Sequence, residues 1–220
     1  MAPRRPPHQA ATQARPMPPA SVLEPLFEDR FEPATDLLAW VRSTFIDPAG
    51  DLHNPEHGHL SDVGIGFLWS AQGFTKAGRR VLGLCEDLQQ SGRGNAWQRG
   101  RASQQMREWF GEEPRFLITL DAQHCAECSD AEFCALLEHE LYHAGHRRDE
   151  FGELAYDKHG GPKLYLRPHD VEEFVGVVER YGVGDPESYL GKLIMAAAKG
   201  PTVAPIRIKQ ACGTCMLRAA

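Results

Sequence analysis

The chain has 220 residues, 42% of them hydrophobic, which suits one buried core with tails rather than several domains. Its formal net charge of -6 offers no overall basic field to nucleic acid, although Arg79-Arg80 and Arg93 to Arg101 are local basic stretches. No uninterrupted apolar run is long enough to span a membrane.

Residues 1–20, MAPRRPPHQAATQARPMPPA, are basic and proline-rich, and composition predicts a disordered arm. With no export-type apolar segment there, the expected compartment is the cytoplasm; a transit peptide is the remote alternative. A first helix is expected from Thr35-Asp36 to Ile46, with Leu37, Leu38, Val41 and Phe45 inward. His53, His57 and His59 follow around Asn54-Pro55 and Gly58, a composition that favours a turn with hydrogen-bonded imidazoles over a second metal site. Strands are predicted at Val63–Trp69 and Arg80–Cys85, joined through a glycine-containing turn at Gly73 to Gly78. Ser91 to Asn95 lacks the Lys-Ser/Thr ending of a phosphate loop and reads as a mobile loop. Arg115–Asp121 is a third strand, and these three compose a small sheet over the helix that follows. A last helix runs from Asp185-Pro186 to about Ala197, ended by Gly200-Pro201. The division is an arm at 1–20, one α+β domain at 21–199 and a tail at 200–220.

The segment after the third strand carries the chemistry. His139-Glu140-Leu141-Tyr142-His143 is an HExxH sequence: on a helix, its two histidines share one face and can reach one metal ion. Glu140 between them is placed as general base toward a water activated by that metal. Ser129-Asp130 with Glu132 forms a capping-box pattern, and Phe133, Leu137, Leu141 and Ala144 make one apolar stripe. Gly145 and the run His146-Arg147-Arg148 suit the end of that helix. With 10 histidines in the chain, HExxH alone can arise by chance, but a chance match would not bring a cap, a stripe and a preceding strand.

A catalytic zinc takes three protein ligands and leaves one position open. Asp149, His159, His169, Glu172 and Glu173 are the downstream candidates, and His169 is preferred. Pro168-His169-Asp170 is expected to open a second helix through Val177 and Val178 to about Tyr181, where His169, Glu172 and Glu173 are mutual neighbours. For the oxyanion, Tyr156, Tyr165 and His159 are available.

Four of the six cysteines form two CxxC pairs, Cys125/Cys128 and Cys212/Cys215, each the usual half of a tetrahedral thiolate site. Their separation exceeds that of a compact zinc ribbon, so a shared structural zinc competes with a redox-active or disulfide-bonded pair and with unpaired thiols. A reducing compartment disfavours disulfides.

The run EHELYHAG (Glu138 to Gly145) followed by HDVEEFVGVVERYG (His169 to Gly182) resembles the Putative phage metallopeptidase family of bacteria and their phages. Leu52 to Ser70, Trp109-Phe110-Gly111 and Phe116–Asp121 look like the same family, so the likeness covers about residues 35 to 182. A looser similarity is to SprT-like proteases, which pair HExxH with a later histidine and often a cysteine zinc ribbon. The resemblance implies a zincin-like fold and zinc-dependent hydrolysis of a peptide bond; on the residue reading above, His139, His143 and His169 are expected to hold the zinc and a protein or peptide to be the substrate. The competing readings are a zinc-bound interaction protein without catalysis and a SprT-like protease acting on DNA-associated proteins.

Overall fold

The computed structural model describes residues 14–26, 29–76, 78–89, 94–171, 178, 183 and 185–203. It is a mixed α+β fold built on a small, mostly antiparallel sheet. Helix α1 (Ala20–Leu23) precedes β1 (Phe31–Pro33) and α2 (Thr35–Val41), whose last turn widens to π geometry over Arg42–Ile46. Strand β2 (Ile65–Ser70) then enters the sheet, and the hairpin β3 (Phe74–Lys76) and β4 (Arg79–Val81) stands apart from it. Strand β5 (Gly83–Asp87), helix α3 (Ala96–Phe110) and strand β6 (Phe116–Asp121) follow, then α4 (Ala122–Glu127) and α5 (Asp130–His143). The short strands β7 (Ala144–His146) and β8 (Leu164–Leu166) form a ribbon, and α6 (Tyr189–Lys199) comes last.

The four-stranded sheet has the order β1-β2-β6-β5. Strands β1 and β5 are antiparallel to their neighbours, while β2 and β6 run parallel, with Ile65 opposite Phe116. One alternating set, Ile65, Phe67 and Trp69 with Phe116, Ile118 and Leu120, is fully or nearly fully buried. Against that face lie Leu37, Trp40 and Val41 of α2 and Phe133, Leu137 and Leu141 of α5. Trp40 and Trp69 both pack on Phe133, at ring-centroid distances of 5.9 and 6.3 Å. Burying each such side chain contributes about 1.5–3 kcal/mol, so the stripe on α5 fixes which side of that helix faces away from the sheet.

Helix α5 starts where its capping box predicts. Ser129 Oγ accepts from the Glu132 amide at 3.3 Å, and Glu132 Oε2 accepts from the Ser129 amide at 3.1 Å. Ser129→Ala is therefore expected to lower stability by about 1 kcal/mol, visible as a lower urea midpoint. An unchanged midpoint would mean that the helix start does not depend on this cap. A second anchor comes from the proline-rich stretch. Arg15 donates to the carbonyls of Cys125 and Cys128 and to Asp130 Oδ1, each at 2.7 Å, and lies 4.6 Å from the Phe133 ring centroid. Its guanidinium meets the negative end of α4, and its side chain is only 8% exposed. Composition had assigned Arg15 to the disordered arm, but these contacts tie it to the α4–α5 junction.

Three sequence expectations are revised here. The predicted strand Arg80–Cys85 divides at Leu82: β4 pairs back on β3, whereas β5 pairs with β6. Gly145 is not a helix cap but a strand residue opposite Tyr165, because Ala144–His146 gains the β8 ladder. A Cβ at Gly145 would sit 2.8 Å from the Tyr165 ring, so glycine is required by close approach rather than by backbone angle. His169 and its neighbours through Val171 are irregular rather than the start of a helix. The remainder of that predicted helix lies outside the described residues except for Val178, which is helical.

Candidate metal centre

His139, His143 and His169 come together. One potential ligand atom from each lies within 4.8 Å of the others, and among the described residues they form the one such group. The ring centroids are 5.0 Å (His139–His143), 4.9 Å (His139–His169) and 5.2 Å (His143–His169) apart. His139 Nε2 and His169 Nε2 are separated by 3.1 Å. Tetrahedral zinc with Zn–N bonds of about 2.0–2.1 Å would place its ligand nitrogens roughly 3.4 Å apart, a spacing that the His139–His169 pair at 3.1 Å approaches, so three imidazoles gathered in this way fit such an ion.

Each imidazole is placed differently. His139 and His143 are one turn apart on α5, opposite the stripe that packs on the sheet. His143 is 2% exposed, and its Nδ1 donates to the Arg167 carbonyl at 2.6 Å. That bond sets the tautomer and leaves Nε2 as the lone-pair nitrogen, the usual arrangement for a metal-binding histidine. The Arg167 amide donates in return to the His143 carbonyl at 2.9 Å, extending the ribbon ladder past β8. His169, exposed, follows two residues later.

Glu140 is fully buried on the same helix. Its carboxylate lies over Gly83 at the start of β5: a Cβ built there would be 2.6 Å from Glu140 Oε1 and 3.0 Å from its carboxyl carbon. Gly83 thus makes the space the carboxylate occupies. Glycine inside a strand pattern is the sequence signal that could have pointed to this approach.

Behind the helix, the histidine-rich turn supports rather than binds. Asn54 caps the 3-10 turn Pro55–Leu60 and donates through Nδ2 to Glu138 Oε1 and Tyr142 Oη, both at 2.8 Å. His57, 1% exposed, packs edge-on against Tyr142 and brings Nε2 to 3.7 Å from Glu138 Oε1. Burial opposes ionisation of Glu138, but the nearby His57 imidazole and the hydrogen bond from Asn54 outweigh it and hold the carboxyl below its usual range. His59 bridges the Glu56 carbonyl at 3.0 Å and the Ala144 carbonyl at 2.7 Å, and burial keeps it below the usual histidine range. These imidazoles serve the turn, in keeping with their sequence context.

The other third-ligand candidates sit elsewhere. Asp149 Oδ1 accepts the amides of Phe151 and Glu153, and Asp157 Oδ1 accepts those of His159 and Gly161. Asp149 and His159 are therefore parts of two side-chain-closed turns between β7 and β8. Glu172 and Glu173 lie outside the described residues. Tyr156 packs edge-on against His146, and the Arg147 guanidinium covers Tyr165 at 4.7 Å, so both rings belong to the ribbon.

Cys125 and Cys128 sit at the end of α4, while Cys212 and Cys215 lie outside the described residues. Cys85, Cys125, Cys128 and Cys134 form no disulfide with one another. Burial, reinforced by Cys128 and Asp121, pushes the Cys125 thiol well above its usual range, and burial raises Cys134 to about 11.

Three imidazole nitrogens gathered from a helix and a following loop define a site able to hold a metal ion. The family model described as Putative phage metallopeptidase matches residues 38–198, and the chain belongs to that family. No curated protein and no solved structure matches the chain.

Proposed function

We propose that the protein is a zinc-dependent metallopeptidase in which His139, His143 and His169 hold the ion and Glu140 is the general base. The observation that carries this reading is the convergence of the three histidines on one point, with the buried Glu140 carboxylate on the same helix. Imidazole donors with one open position suit zinc, which supplies Lewis acidity when bound there. Glu140 takes a proton from water as the water oxygen adds to the peptide carbonyl carbon. It returns that proton to the amine nitrogen as the C–N bond breaks. The substrate is a protein or peptide. Strand β5 is an edge of the sheet and begins at Gly83, beside Glu140, so an extended peptide added along β5 would be carried toward the centre. Among the described residues no helix is long and apolar enough to cross a membrane, and we assign the protein to the cytoplasm of a bacterial or phage-infected cell.

A purely binding module with the same metal would have no use for a buried carboxylate between the two helical ligands, which favours catalysis. Zinc content of the purified full-length protein tests the centre. One ion per chain, removed by chelator together with peptide hydrolysis, is expected. Two ions would add a site at Cys125, Cys128, Cys212 and Cys215, and none would overturn the reading.

A further inference from the structure

We propose that the Arg167 guanidinium is a positioning element for the third metal ligand, closing the short loop that presents His169. The inference rests on the reading of the three histidines as a metal centre. His169 lies in irregular, exposed backbone, whereas the other two ligands ride on a helix seated against the core. The main chain of Arg167 is fixed to His143 by two hydrogen bonds, but the next residue is Pro168, which has no amide to donate. The next anchor is the Arg167 side chain. Its Nη2 spans both carboxylate oxygens of Asp170, at 2.8 and 3.0 Å, so that His169 sits inside a loop closed from Arg167 to Asp170.

The guanidinium is itself oriented by its surroundings. It lies 5.6 Å from the centroid of Tyr142, the residue just before His143, and its Nη1 is 3.9 Å from Glu56 Oε2. Tyr142 in turn accepts a hydrogen bond from Asn54. The chain of contacts runs from the histidine-rich turn, through the HExxH helix, to the loop that bears the third ligand. Arginine suits this role because its planar fork can lie over a ring while pairing with a carboxylate; lysine can pair with the carboxylate but cannot stack as a plane. The Arg167 and Asp170 side chains are 30% and 49% exposed. An ion pair so placed adds little to global stability, so its effect falls on the order of the loop. Without it, ordering His169 opposes metal binding.

Zinc affinity of the full chain, measured by competition with a chelating dye, tests the proposal, together with the visible spectrum of the cobalt-substituted protein. Arg167→Ala and Asp170→Asn are expected to weaken zinc binding by about 10- to 100-fold, the range found for residues that orient metal ligands. Arg167→Lys should recover part of the loss. The cobalt spectra of the two disruptive variants should depart from the wild-type tetrahedral form, while thermal unfolding of the metal-free proteins stays unchanged. Should Arg167→Ala fail to fold, Asp170→Asn leaves Arg167 and every backbone hydrogen bond in place and carries the test alone. Wild-type affinity in folded variants would overturn the proposal, as would a loss matched by destabilised metal-free protein. A wild-type chain that binds no zinc would remove the metal centre itself, an outcome distinct from a zinc-binding wild type whose variants are unaffected.

Discussion

Glu140→Gln is expected to retain zinc at the wild-type ratio and to lower peptide turnover by about 10²- to 10⁴-fold. Glutamine keeps the shape of a side chain that is fully buried, and His139 and His143 flank it on a helix whose seat depends on Phe133, Leu137 and Leu141. Neither the fold nor the donor nitrogens should change, but an amide cannot accept a proton from water at neutral pH. Steady-state hydrolysis of any peptide the wild type cleaves, paired with metal analysis, reads both quantities. Undiminished turnover would rule out Glu140 as base. Lost zinc together with lost activity would instead show that the carboxylate is needed to build the centre.

Gly83→Ala should have the next largest effect, although residue 83 is neither a metal ligand nor a proton carrier. The added methyl would meet Glu140 Oε1 at 2.6 Å and its Cγ and carboxyl carbon at 3.0 Å, below any ordinary contact. The strand cannot easily retreat, because β5 is paired along its length with β6, from Gly83 opposite Leu120 to Asp87 opposite Phe116. The carboxylate is then the part that moves. Displacing a catalytic group by about 1 Å costs roughly 10²-fold in rate, and zinc content should be unaffected because the imidazoles are not touched. Restored activity in a double variant Gly83→Ala, Glu140→Asp, whose shorter acid leaves room for the methyl, would support the steric account. Full activity of Gly83→Ala alone would refute it.

What was legible in the sequence follows from how local each interaction is. The start of α5 could be read because Ser129 and Glu132 satisfy each other within one turn, and its buried side because Phe133, Leu137 and Leu141 repeat at helical spacing. Strands β2 and β6 were visible as apolar runs, since both are buried on the two faces of the sheet. Helix α3 left no such trace. It buries no residue, so no apolar stripe marks it, and only its Asn95–Gln98 capping box and the Gly111 terminus signal it. Strand β7 looks like a helix end in the sequence, and β8 carries no signal of its own, because the order of these three-residue strands comes from pairing with each other. The division at Leu82 likewise depends on which partner each half finds.

The sequence by itself determined that two histidines would share the face of a capped helix opposite its apolar stripe, with a glutamate between them in the chain, because cap, stripe and one-turn spacing act within a few residues. Among Asp149, His159 and His169 it favoured His169, but it could not show which of them reaches the other two rings. In the tertiary structure side-chain-closed turns engage the Asp149 carboxylate and the His159 amide, while the β7–β8 ladder carries the chain from Arg167 past His143 and brings His169 to the other two rings. It also set Gly83 beneath Glu140. Such contacts join segments far apart in the chain, and the pairing and packing that create them exist only once the sheet and helix have docked.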